Sequence, residues 1–150
     1  MATSRQTWHA ALDGGSGTLL CDGDVPGLEV VDHLGQGSQA VVYQVRREGV
    51  EYALKVIRSA AADEAALAAF QREAALLACV NHPGIPRVHE VGVVHRRSYL
   101  VMDLVKGHRL TESLAMGPMD LPRVLTVALD IASALDAAHR AGVVHRDVKP

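Results

Sequence analysis

The sequence predicts an α+β fold in which a small antiparallel sheet with one helix is followed by further helices. Short β-branched runs separated by turn residues occupy 28–57 and 85–105, and they indicate the strands. An Ala- and Leu-rich stretch from Ser59 to Val80 repeats its apolar residues at helical spacing. A second helical pattern follows from Leu121 to Ala138.

Five strands are expected, and the short connections within each group favour antiparallel pairing. The first three strands are LEVVDHL, AVVYQVRR and EYALKVI, with Glu48 and Gly49 as turn residues between the second and the third. The other two are IPRVHEVGVV and RSYLVMDLV, which are joined across residues 95–97.

Both helical patterns have recognisable ends. The first should stop before NHPG at 81–84, because proline disfavours helical geometry in the residue that precedes it. The second should begin at the N-cap Asp120, with Pro122 in its first turn, and end near Gly142. Its apolar stripe is longer than a five-stranded unit can cover, so we expect a chain truncated before the helices that would pack on it.

Composition narrows the class of protein. The 150 residues are 49% apolar and 21% charged, as in ordinary globular proteins, and a net charge of −2 argues against a nucleic-acid binder. No apolar run approaches the roughly 20 residues of a membrane span, and the first residues lack a secretory signal. Cys21 and Cys79 form no disulfide framework, so a cytoplasmic location is expected. Residues 1–26, rich in Gly, Ser, Asp and Thr, should be a flexible leader.

A glycine-containing segment, LGQGSQAVV at 34–42, is the first candidate for chemistry. Gly35 and Gly37 lie at the junction of the first two strands, where a missing side chain lets backbone N–H groups approach a phosphate. The same pattern also occurs in simple tight hairpins. A dinucleotide-binding turn would have to open a helix, whereas AVVYQV has the pattern of a strand, and no GxxxxGK[ST] loop is present.

Lys55 lies within the otherwise apolar strand YALKVI. An ammonium group there needs an anionic partner, unless the lysine is on the solvent side of an edge strand. Glu73 lies three residues after Phe70 and four before Leu77, on the apolar side of the predicted helix, where a carboxylate also needs a partner. We therefore predict that Lys55 and Glu73 form an ion pair.

Together with HRDVKP at 145–150, these features resemble the protein kinase family. The glycine loop, the lysine in YALK, the glutamate in QREA, the HP turn, the hinge-like YLVMDLVKG and HRDVKP follow one another at kinase-like separations. The resemblance spans residues 28–150. It implies a protein-kinase-like fold, with an N-lobe at 27–105 whose helix is of the αC type. Residues 106–150 would begin a helical C-lobe that is truncated inside the catalytic loop.

The resemblance also implies which residues would bind ATP. Gly35 and Gly37 would cover the phosphates, and Lys55, held by Glu73, would bind the α- and β-phosphates. Ala40 stands where the family has a third loop glycine, and its small size should preserve nucleotide binding. The other nucleotide-binding positions are Leu34 in the glycine loop, Val42 and Ala53 in the adenine pocket, Met102 as gatekeeper, and the hinge backbone groups of Asp103 and Val105.

For the transfer step, the resemblance assigns two residues. Asp147 would orient and deprotonate the attacking hydroxyl, and Lys149 would meet the transferring phosphate, as in serine/threonine kinases with the HRDxKP form. The implied substrates are Ser and Thr hydroxyls of proteins, and the implied cofactors are ATP and Mg²⁺. The family's Mg²⁺ ligands are expected beyond residue 150, so the segment alone should be inactive. Its eight histidines lack HExxH or paired ligand spacing, so no metal site is expected within it.

Two other functions stay open. One is a catalytically dead kinase-like module that binds partners, and the other is a small-molecule phosphotransferase with a similar lobe. Retention of Lys55, Glu73 and Asp147 argues against the first, and the HRDxKP form argues against the second.

Overall fold

The computed structural model describes residues 20, 23–38, 40–60, 64–145 and 148–149, with the backbone alone at 59–60, 64–67, 69 and 73. Within these residues the strands form one antiparallel sheet in the order β1-β2-β3-β5-β4, which confirms the predicted α+β class. The elements are β1 (Glu29–Gln36), β2 (Ala40–Arg47), β3 (Val50–Ala60), α1 (Glu64–Ala78), β4 (Val88–Val94), β5 (Arg97–Asp103), α2 (Leu110–Ala115) and α3 (Leu121–Arg140).

Two hairpins turn through residues with positive φ. Glu48 and Gly49, with φ of 52° and 81°, join β2 to β3, and His95 and Arg96, with φ of 47° and 62°, join β4 to β5. Two consecutive residues of this kind form a type I′ turn, whose twist matches that of the flanking strands. The predicted turn at Glu48 and Gly49 is confirmed.

The predicted start of the first helix is wrong. β3 continues to Ala60, and α1 begins at Glu64 instead of Ser59. The reason is tertiary, because the end of β3 stays paired with Arg97 at the start of β5. The Arg97 side chain also donates a hydrogen bond to the carbonyl oxygen of Arg58. This pairing outweighs the helical preference of the local sequence.

The second strand pair is shorter than predicted. β4 begins at Val88 instead of residue 85, and β5 ends at Asp103 instead of residue 105. Pro86 has no N–H to donate to a sheet ladder, which explains the late start of β4. α1 ends at Ala78, ahead of the NHPG run, as predicted.

The two faces of the sheet carry separate apolar clusters, because successive side chains of a strand point to opposite faces. One face holds Val45, Leu54 and Val101, which are at most 1% exposed. α1 covers the other face, where Ala74 packs with Leu100. The sheet is therefore buried on both sides at its centre.

Part of the predicted flexible leader packs on the sheet face opposite α1. Leu20 and Val25 are 6% and 4% exposed and belong to the same cluster as Leu28. Asp24 Oδ2 lies 3.1 Å from His95 Nε2, which joins this segment to the turn between β4 and β5. The leader therefore contributes side chains to the core near its end. The prediction for residues 1–19 falls outside the described residues.

α3 has a defined structure at each end. The Asp120 carboxylate accepts a hydrogen bond from the Arg123 N–H at 3.0 Å, which confirms the predicted N-cap. Gly142 has φ of 81°, and the N–H groups of Gly142 and Val143 donate to carbonyls of the last turn at 2.9 and 3.0 Å. This is a Schellman motif, as glycine at this position favours. Across the described part of the chain, no helix combines the length and apolarity that crossing a membrane requires.

Candidate functional site

The predicted glycine loop is the hairpin between β1 and β2. The Gly37 N–H donates to the Ala40 carbonyl oxygen at 2.9 Å, and Gly35 pairs with Val42. A register shift between residues 33 and 35 puts Leu34 at an irregularity of β1, where it is 38% exposed. Among the described residues, a Cβ on Gly37 would meet nothing closer than the Ala40 oxygen, at 4.0 Å, so these residues leave room beside the loop. A closely approaching phosphate needs such open space.

Cross-strand pairing brings four of the predicted nucleotide-binding residues to one face of the sheet. Val42 of β2 lies opposite Lys55 of β3, and Ala53 of β3 lies opposite Met102 of β5. Residues two apart on a strand point to the same face, so both pairs are on the same side. This is the side that α1 covers, because Leu100 pairs with Lys55 and packs against α1. The strands thus form an apolar floor that contains Lys55.

Lys55 itself is partly buried. None of the carboxylates whose side chains the structure describes forms an ion pair with it. The side chain of Glu73 is outside the described residues, so the Lys55–Glu73 pair stays a prediction. The backbone is compatible with it. Ala74, the residue after Glu73, is 2% exposed and shares a cluster with Leu100, which lies opposite Lys55.

The predicted hinge begins at the end of β5. The Asp103 N–H donates to the Arg87 carbonyl at 3.0 Å, so only the carbonyl of Asp103 could serve a ligand at the hinge. Val105, two residues further on, is 70% exposed. Of the two backbone groups of Asp103 that were predicted to bind adenine, only the carbonyl oxygen is therefore left for that role.

The carboxylate of Asp103 has a role that the sequence did not indicate. It accepts hydrogen bonds from His89 Nε2 at 2.6 Å and from the Arg87 N–H at 3.0 Å. The bond from His89, followed by the one from Arg87, lowers the pKa of the Asp103 carboxyl. The His89 ring in turn packs edge-on against Tyr52, with centroids 5.1 Å apart. These contacts tie the end of β5 to the start of β4, between residues too far apart in sequence for a local pattern to reveal them.

The HP turn, at His82 and Pro83, connects the unit formed by the sheet and α1 to α3. His82 Nδ1 accepts a hydrogen bond from the Gly84 N–H at 3.0 Å, so Nε2 carries the proton and donates to Ser133 Oγ at 2.9 Å. A Cβ on Gly84 would lie 3.3 Å from the Ala134 Cβ, which shows how closely the turn approaches the helix. In the sequence this turn was recognisable only as a helix stop and a kinase-like landmark.

The catalytic end of the predicted site is only partly described. Asp147 falls outside the described residues, whereas Lys149 is described and exposed. The roles of Asp147 and Lys149 stay predictions. Among the described residues, no three His, Cys, Asp or Glu side chains group as a metal site, and the Mg²⁺ ligands expected beyond residue 150 stay a prediction. An open groove lined by residues 27–29, 46, 48 and 49 lies at the opposite end of the β1–β2 hairpin and contains none of the predicted residues.

The sequence is also similar to known proteins, and this similarity can be set beside the geometry. Residues 28–150 match the model of the protein kinase domain family. The chain is 41% identical over 125 residues to a probable serine/threonine-protein kinase of Streptomyces coelicolor. The matched region covers 78% of this chain and 19% of that protein. The chain thus spans about a fifth of the length of the curated relatives that it matches first.

Solved structures have the same fold. The kinase domain of Mycobacterium tuberculosis PknI superposes with a TM-score of 0.75 at 35% identity, over 89% of this chain and 57% of that chain. Rad53 1-466 in complex with AMP-PNP superposes with a TM-score of 0.71 at 27% identity, over 83% of this chain and 33% of that chain. The family match and the shared fold lead to one conclusion: this chain belongs to the protein kinase domain family.

Proposed function

We propose that the protein containing this chain transfers the γ-phosphoryl group of ATP to Ser and Thr hydroxyls of protein substrates. The observation that carries the proposal is the sheet face on which Val42, Ala53, Lys55 and Met102 meet beside the glycine hairpin. A partly buried lysine in an apolar floor suits a ligand with an adenine-like ring and an anionic chain. Similarity to serine/threonine-protein kinases supports the reaction class, and similarity to a structure that contains AMP-PNP supports the nucleotide.

In this proposal each part of the site has one role. Gly35 and Gly37 cover the phosphates, and Lys55, paired with Glu73, binds the α- and β-phosphates. The open space beside Gly37 supports this role of the loop. The other nucleotide contacts are side chains of Leu34, Val42, Ala53 and Met102 and hinge backbone groups of Asp103 and Val105.

The transfer step needs a positioned base. Asp147 accepts the proton of the substrate hydroxyl while that oxygen bonds to the γ-phosphorus, the bond from this phosphorus to the β–γ bridging oxygen breaks, and ADP leaves. Lys149 contacts the phosphoryl group in transit. Mg²⁺, when bound, neutralises charge on the phosphates.

The boundaries of the lobes and the cellular location belong to the same proposal. We propose an N-lobe at 27–105 and the start of a C-lobe at 106–150, a division supported by the end of the sheet at Asp103 and the helices that follow it. We also propose a cytoplasmic location. The absence of a disulfide framework in the sequence, in which Cys79 is a free thiol, supports a reducing compartment.

The test compares Lys55→Met and Asp147→Asn with the unaltered intact protein, by transfer of labelled phosphate from ATP to a generic acceptor protein. Each substitution should lower labelling by about 10²-fold or more, because catalysis here depends on positioned charge and a positioned base. Lys106→Met and Asp130→Asn are the matched controls. Lys106 is 80% exposed, its Nζ lies 3.6 Å from Glu51, and its side chain has no role in the proposal.

The outcomes separate the alternatives. Labelling that survives Lys55→Met or Asp147→Asn would remove the corresponding assignment. An intact protein that binds ATP but labels no protein would be an interaction module, and one that labels only a small metabolite would be a small-molecule phosphotransferase.

A further inference from the structure

Arg109 extends from the segment after the predicted hinge to the glycine loop. It lies immediately before α2, where its carbonyl accepts hydrogen bonds from the Glu112 and Ser113 N–H groups at 3.0 and 3.2 Å. These bonds hold the backbone of Arg109. Its side chain extends to β1, where Nη2 lies 3.0 Å from the position that a Cβ on Gly35 would occupy.

This proximity couples Arg109 to Gly35. A Cβ so close to the guanidinium would force it to shift, so the glycine leaves the space that the guanidinium occupies beside the loop. Gly35 pairs with Val42, which lies opposite Lys55. The guanidinium therefore lies at the edge of the sheet region that carries the proposed nucleotide site.

The charge of Arg109 is not matched by an acid in the part of the chain that the structure describes. Its neighbours there do have acidic partners, because His108 Nδ1 lies 3.4 Å from Glu112 and Lys106 Nζ lies 3.6 Å from Glu51. No described carboxylate pairs with Arg109 in the same way. A guanidinium offers five N–H donors in a planar fork that matches phosphate oxygens.

We propose that Arg109 binds the polyphosphate of the nucleotide held under the glycine loop, as a second cation beside Lys55. The inference rests on the proposed function, because it takes ATP to be the ligand. Phosphate is the chemistry that suits a guanidinium that lies next to a glycine hairpin and that no described carboxylate neutralises. Arg109 is exposed, so solvent and salt will weaken the interaction, and its contribution should be moderate.

The experiment measures the dissociation constants of ATP and of adenosine for the intact protein and its variants. Arg109→Gln should weaken ATP binding roughly tenfold, the scale of one charge-assisted contact, and should change adenosine binding by less than about twofold. Arg109→Lys keeps the charge and should recover part of the ATP affinity.

Arg96→Gln is the matched control. Arg96 lies in the turn between β4 and β5, and β5 is three strand positions from β1, which carries Gly35, or roughly 15 Å across the sheet. Its substitution should leave both dissociation constants unchanged. A thermal melt of each variant checks that the fold is retained.

Three results would overturn the inference. ATP affinity that is unchanged in Arg109→Gln would show that the guanidinium does not contact the ligand. Tighter ATP binding would show that it blocks the site, and equal losses for ATP and adenosine would show that it acts on the nucleoside part. Failure of the proposed function looks different, since then the unaltered protein would not bind ATP or would transfer no phosphate that depends on Lys55.

Discussion

The carboxylate of Glu90, on β4, lies on the face of the sheet opposite α1, which also carries Tyr99 and Val101. Burial by itself would raise the pKa of this carboxyl, but a hydrogen bond from Tyr99 and then the hydrogen bond and charge of Arg47 outweigh it and lower the pKa. The Tyr99 hydroxyl donates to Glu90 Oε1 at 2.6 Å, and Arg47 Nη2 donates to Oε2 at 2.7 Å. Burial, followed by the hydrogen bond to Glu90 and its charge, raises the pKa of Tyr99 to about 12.

These shifts predict how stability depends on pH. The folded pKa of Tyr99 lies above its ordinary value of 10.0, so its contribution is complete below pH 10 and is lost as the pH rises towards 12. The folded pKa of Glu90 lies below 4.5, so its contribution is present above that value and is lost as the pH falls through the folded pKa. Urea unfolding midpoints against pH will measure both effects.

Two conservative variants identify the groups. Tyr99→Phe should remove the extra loss of stability at alkaline pH, and Glu90→Gln should remove the extra loss at acid pH. If the alkaline branch of Tyr99→Phe runs parallel to that of the unaltered protein, another group is responsible for the effect.

At the scale of elements, one cross-strand pair places an aromatic ring of β5 against a glycine of β4. Gly92 of β4 lies opposite Tyr99 of β5 in the register of the sheet. A Cβ on Gly92 would approach the Tyr99 Cζ to 2.5 Å and its Cε1 to 2.7 Å, so the tyrosine ring lies directly over the glycine. Glycine at this position makes room for the aromatic side chain that binds Glu90.

Gly92→Ala is therefore predicted to destabilise the fold by about 1–3 kcal/mol, the cost of forcing an extra methyl group into a packed region. Denaturant unfolding will measure the change in the free energy of unfolding. The same alanine should cost less in a Tyr99→Leu background, because the clashing ring atoms are then absent. Equal costs in the two backgrounds would show that the ring does not limit this position.

Over the whole molecule, α3 is connected to the sheet unit through the HP turn, but most of its apolar side chains face solvent. Leu121 and Leu129 are each 69% exposed and Leu125 is 54% exposed, whereas Ala138 is buried. The relatives that the chain matches are several times longer than it is. We expect the exposed stripe to pack against helices of the complete catalytic domain.

A version limited to residues 1–150 should therefore self-associate and should not transfer phosphate. Burying a large apolar side chain contributes roughly 1.5–3 kcal/mol, so several exposed leucines on one helix favour association strongly. Light scattering will give the oligomeric state, and labelling with ATP and Mg²⁺ will give the activity. Replacing Leu121, Leu125 and Leu129 with Gln should reduce the association. A monodisperse, cooperatively melting monomer that turns over ATP would contradict this prediction.

Much of this protein could be predicted from neighbouring residues. The strand runs, the turn at Glu48 and Gly49, the Asp120 cap and the glycine end of α3 all depend on interactions across a few positions. Turn and cap chemistry is local, so the sequence carries it directly. The ordered motifs from Leu28 onward also identified the family, which residues 28–150 match.

Contacts between distant segments decided the rest. The helical pattern from Ser59 did not start a helix there, because Ala60 pairs with Arg97 on β5. The bond between Asp103 and His89, and the approach of Arg109 to Gly35, likewise join residues that no local pattern relates. Such contacts depend on which strands become neighbours and how closely they pack, and this is determined by the free energy of the whole fold and not by local propensity.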